Sequence, residues 1–164
     1  MRRGRVSGVM VIAAASVTVL SGCVPFGSGG APAARCVSTP VSPSVLEKYS
    51  LPELPRSDDV RFCEAPDKDG SSAQLSFRSG PEDADSYLKS LDLDPATFTD
   101  LPPDTLAELA REDGDGWSLT RGEAYRRGTK ARDWNGQCLV DYTAYVRKSA
   151  DRDGRVYLAM YCQS

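Results

Sequence analysis

Gln137-Cys138-Leu139-Val140-Asp141-Tyr142-Thr143-Ala144-Tyr145-Val146-Arg147 and Arg155-Val156-Tyr157-Leu158-Ala159-Met160-Tyr161-Cys162 are the stretches on which the fold turns. Apolar side chains alternate with polar or aromatic ones along both, as strands with one face on a core require. Between them, Asp151-Arg152-Asp153-Gly154 fits a type I turn followed by a left-handed glycine at a bulge. Pairing Asp151 with Arg155 puts Val140, Tyr142, Ala144, Val146, Val156, Leu158, Met160, Cys138 and Cys162 on one face. It also sets Tyr145 opposite Tyr161, with Tyr157 and Arg147 beside them on the other face. Tyrosine and arginine are enriched at recognition surfaces, so Tyr145, Arg147, Tyr157 and Tyr161 form a candidate binding surface. The alternative is a pair of half-buried cross-strand contacts, or a helix packed over them.

Working outward, Asn135-Gly136 is a hairpin turn joining Arg126–Trp134 to the strand that starts at Gln137. Asp58–Ala65 and Ser71–Ser79 alternate as two further strands, with Pro66-Asp67-Lys68-Asp69-Gly70 as their turn. Three short helices are expected. Ser42-Pro43 opens one that carries Val45, Leu46 and Tyr49. Ser79-Gly80-Pro81-Glu82 opens a second as a capping box, with Ala84, Tyr87, Leu88 and Leu91 on one face. The third runs from about Pro103 to Glu112, with Leu106, Leu109 and Ala110 inward and Gly114 as its stop. The sequence therefore predicts an α+β domain: an antiparallel sheet of about four to five strands, two or three short helices on one face, and two disulfides.

The beginning of the chain carries a different kind of information. Arg2, Arg3 and Arg5 precede an uncharged apolar run from Val6 to Leu20, the layout of a secretory signal and too short for a comfortable membrane span. Leu20-Ser21-Gly22-Cys23 follows, and it resembles the lipobox of bacterial lipoproteins. The resemblance covers only the leader. It implies cleavage before Cys23, a thioether-linked diacylglycerol on that cysteine, and a lipid-anchored protein on the extracytoplasmic face of the cell membrane, with no spanning helix. The expected organisation is a signal peptide over 1–22, a lipidated start and Gly/Ala/Pro-rich tether over 23–35 of roughly 20 Å reach, and one domain over 36–164. Arginine far outnumbers lysine, and alanine, glycine and aspartate are plentiful, so the composition matches a high-GC actinobacterium.

Five cysteines in an exported chain leave one odd thiol, and lipid on Cys23 resolves the count. Cys36, Cys63, Cys138 and Cys162 remain as two disulfides in an oxidising compartment. In the register above, Cys162 faces Ala144, six residues or about 20 Å along the strand from Cys138, far beyond disulfide reach. Each C-terminal cysteine is therefore expected to pair with Cys36 or Cys63. A zinc site is the rival use of four cysteines, but the chain has no histidine and no Cys-x-x-Cys pair.

The absence of histidine also removes Ser-His-Asp and Cys-His nucleophile systems. Ser86-Tyr87-Leu88-Lys89 matches the Ser-x-x-Lys of penicillin-binding enzymes, but its companion elements are missing and both residues fit a solvated helix flank. Asp113-Gly114-Asp115-Gly116 suggests calcium, yet Arg111 and Gly122 stand where an EF-hand needs carboxylates. Thus no metal, cofactor or catalytic residue is expected. Without its leader the chain has 17 basic residues against 23 acidic ones, a net −6, which argues against nucleic acid as a partner. The sequence points to a membrane-anchored, non-catalytic binding or accessory domain that meets a protein or envelope component. A small carboxylate-dependent hydrolase of the envelope is the alternative, and a concave pocket with converging carboxylates would mark it.

Overall fold

The computed structural model describes residues 34–38, 40–67, 70–111, 118–148 and 154–163. Its centre is a seven-stranded, wholly antiparallel sheet in the order β1-β2-β3-β9-β8-β7-β4. The strands are β1 (Arg35–Val37), β2 (Asp58–Asp67), β3 (Gly70–Arg78), β4 (Thr99–Asp100), β7 (Tyr125–Trp134), β8 (Leu139–Arg147) and β9 (Arg155–Gln163). A separate parallel pair joins β5 (Ala110–Arg111) to β6 (Leu119–Thr120). Among the described residues the helices are α1 (Pro43–Lys48), α2 (Pro81–Ser90) and α3 (Pro103–Leu109), with a 3-10 turn at Pro95–Thr97.

This sheet-dominated architecture corrects the α+β expectation of four to five strands. The sheet gains β1 and β4, which are three and two residues long. Such pieces show no alternation, and pairing with a longer neighbour holds them in place. The helices, in turn, are short. The one expected to reach Glu112 ends at Leu109, because Ala110 turns to an extended φ/ψ and pairs with Leu119. Leu109 is left 39% exposed instead of facing inward. The capping box at Ser79 does not form either: Gly80 is the N-cap of α2, and the Ser79 hydroxyl donates to the Gly80 carbonyl.

The last hairpin keeps its faces but not its pairing. Tyr145 lies opposite Tyr157 and Val140 opposite Cys162, a slip of four positions from the expected register. An even slip leaves every side chain on its original face, so Val140, Tyr142, Ala144, Val146, Val156, Leu158 and Met160 are all buried together as expected. The ladder stops early because its end groups bond elsewhere. Lys148 N–H donates to the Ala124 carbonyl at 2.7 Å, and the Gly154 carbonyl accepts from Ser79 N–H at 3.3 Å. Gly154 has φ +64°, as a left-handed glycine should, and a Cβ there would lie 1.9 Å from the Ser79 carbonyl oxygen. The turn at Asp151–Asp153 lies outside the described residues.

The slip also overturns the expected disulfide pairing. With Val140 opposite Cys162, Cys138 becomes the diagonal neighbour of Cys162, and the two bond across a Cα separation of 5.5 Å. Cys36 lies directly opposite Cys63 and bonds to it across 4.0 Å. Each bridge thus closes locally within one end of the chain and does not staple the two ends together.

Two cores result. On the first face of the sheet, the apolar residues of β8 and β9 join Phe62, Ala73, Leu75 and Phe77, under a lid of Tyr49, Leu51, Ala84, Tyr87, Leu88, Leu91, Leu93 and Phe98. Phe77 meets Tyr87 edge-to-face at 5.1 Å between ring centres. Phe98 lies so close over Gly128 that a Cβ would fall 2.0 Å from its ring. On the second face a smaller cluster forms from Leu101, Ala110, Leu119, Tyr125 and Tyr157, with Leu106 and Tyr145 packed against it.

Candidate functional site

The pairings place Tyr145, Arg147, Tyr157 and Tyr161 on the second face, as the alternation requires. They do not share one environment. Tyr157 is 7% exposed and belongs to the second core, with its ring 6.0 Å from that of Tyr125. Tyr145 is half-buried against the same cluster, and burial raises the pKa of both hydroxyls. Arg147 is half-buried and lies 3.6 Å from the Glu123 carboxylate. Tyr161 is further up the strand, beyond the cluster. It is half-buried between Asp141 of β8 and Ser72 of β3. Next to it are Ala159, flanked by Gln74 and Thr143, and Leu139, flanked by Gln163 and Trp134.

Trp134 ends β7 at the same end of the sheet and is 65% exposed. Its backbone leads into a rigid turn. Asn135 Oδ1 accepts from the Gln137 and Cys138 N–H groups at 2.8 and 2.9 Å, while its Nδ2 donates to the Lys48 carbonyl at 2.7 Å. The Asn-Gly signal for this hairpin was legible in the sequence, and the turn is where it was expected.

Two carboxylates carry structural interactions that the sequence did not reveal. Glu64 accepts from Lys48 Nζ at 2.5 Å and from the Tyr49 hydroxyl at 2.7 Å, and that hydroxyl also lies 2.9 Å from Ser71 Oγ. Partial burial pushes the Glu64 pKa up, but the lysine and tyrosine contacts outweigh it and leave it lowered. Asp59 sits at a bulge with φ +55° and accepts from Arg61 Nε at 3.0 Å and from Arg155, whose side chain is only 9% exposed. The hydrogen bond from Arg155 is the largest of the effects that lower its pKa. Neither carboxylate is tuned as a general acid, which needs a raised pKa. A shallow, open recess with room for about one water lies between the start of α2, the end of β8 and the start of β9, and among the described residues Asp85 is the one carboxylate lining it.

The other sequence candidates separate in the same way. Ser86 and Lys89 are both exposed on α2, flanking buried Tyr87 and Leu88. Cys23 and the Asp113–Gly116 run lie outside the described residues. Among the described residues, no group of three or more carboxylates and cysteines is placed to hold a metal ion, and no helix is long and apolar enough to cross a membrane. Comparison with protein-family models, with curated proteins and with solved structures gives no match.

Proposed function

We propose that this chain is a lipid-anchored extracytoplasmic protein whose domain is a non-catalytic binding or accessory module. It engages a protein or envelope component through the uncovered end of the second sheet face, around Tyr161. The observation that carries this reading is the unequal cover of that face. The second core closes over Tyr157 and Tyr145, while Tyr161, Leu139 and Trp134 continue the same face beyond it. A rigid sheet presenting an aromatic side chain among short polar ones has little conformational entropy to lose on binding. The two disulfides fit an oxidising compartment. The lowered pKa values of Asp59 and Glu64 fit structural ion pairs better than hydrolytic acid–base work.

Two measurements test the proposal. Crosslinking and pulldown from the native envelope should lose partners in Tyr161→Ala; an unchanged partner set would overturn the surface. Metabolic labelling with an alkyne fatty acid should mark the wild type and not Cys23→Ser, and a wild type without label would overturn the anchor.

A further inference from the structure

We infer that Trp134 contacts the lipid surface to which the chain is tethered, so that the domain stands on the membrane at two points. This rests on the lipid-anchor reading of Cys23. β1 runs antiparallel to β2 with Arg35 opposite Glu64 and Val37 opposite Phe62. The chain before Arg35 therefore leaves toward the end of the sheet where β2 ends and β3 begins. β7 ends at that same end, since Trp134 pairs with Leu139, and Leu139 with Gln163, whose other neighbour is Gly70. The exposed tryptophan and the outgoing tether thus share one end of the molecule. They stand at its two corners, five inter-strand spacings or about 24 Å apart.

The length of the tether brings that end to the bilayer. Between Cys23 and Arg35 lie eleven residues, rich in glycine, alanine and proline, with a root-mean-square reach of roughly 20 Å. A domain held so close, and by that corner, presents the end of the sheet that carries Gly70, Gln163, Leu139 and Trp134 to the membrane. Tryptophan is the side chain most suited to the headgroup boundary, where its ring is buried and its indole N–H stays wet. Trp134 is 65% exposed on a turn braced by Asn135, so docking requires no rearrangement. With both corners down, the strands rise from the membrane and the Tyr161 surface faces sideways along it.

The test uses the full acylated protein in vesicles of dibrominated phosphatidylcholine, compared with vesicles of the unbrominated lipid. Flotation first verifies the anchor. Insertion to ~5–10 Å brings the ring within reach of the bromines, and wild type should then lose part of its tryptophan emission relative to the unbrominated vesicles. Trp134→Phe, which keeps Trp117, should float equally and lose clearly less. Flotation with no quenching, or with equal quenching in both proteins, overturns the Trp134 contact and leaves the anchor standing. Failure of the wild type to float overturns both.

Discussion

The two faces of the sheet are made by the same strands, yet they are built differently. The first is a continuous core that α1, α2 and the chain up to Phe98 close from end to end. Among the described residues, the second is closed where α3 and the β5–β6 pair pack on Tyr125, Tyr145 and Tyr157. One face holds the fold together, and the other is divided between stability and surface. The lesson is that alternation in a strand tells which residues go together, whereas the elements that arrive later in space decide whether a face is core or surface.

The contrast can be broken by mutation. Phe77→Ala removes a fully buried ring from the first core and should cost about 4 kcal/mol in urea unfolding, with the whole sheet affected together. Leu119→Ala should cost about 2.5 kcal/mol, and hydrogen exchange should quicken first in β5 and β6. If exchange instead rises uniformly, the second cluster is part of the first core and the distinction fails. The acid response comes next. The folded pKa of Glu64 lies below its ordinary value of 4.5, so its contribution is complete above that pH and is lost as pH falls through the folded value. Glu64→Gln should lower stability by about 1 kcal/mol at pH 7 and flatten the acid limb of the stability curve. Tyr161→Ala should change stability least, by under about 0.5 kcal/mol, because the side chain is half-buried at the uncovered end. A loss comparable to that of Leu119→Ala would make Tyr161 a core residue.

How much of this was legible follows from the physics of each element. The apolar face of β8 and β9 could be read because its alternation is undisturbed along both strands. The pairing could not, since face assignment is blind to any even slip, and the end of the ladder depends on Ala124 and Ser79, distant groups that capture Lys148 and Gly154. The disulfide connectivity failed with the pairing, and for that reason alone. Tyr157 looked like surface because it alternates with Val156 and Leu158, but Arg155 through Leu158 are buried in succession, as in any strand covered on both sides. Asp59 left no trace, because its role arises from a bulge and a left-handed backbone that bring it to Arg155. Of the candidate surface, the sequence supplied the residues and their common face; the division between covered Tyr157 and open Tyr161 belongs to tertiary structure.

The bridge between Cys36 and Cys63 also determines how a pull on the chain is shared. Three residues of β1 would peel from the edge of β2 one hydrogen bond at a time under tension. The covalent link instead passes the load to the middle of β2, a ten-residue strand held along its other side by β3. A pull applied to the chain ahead of Cys36 is therefore carried into β2 and, through its ladder, into β3.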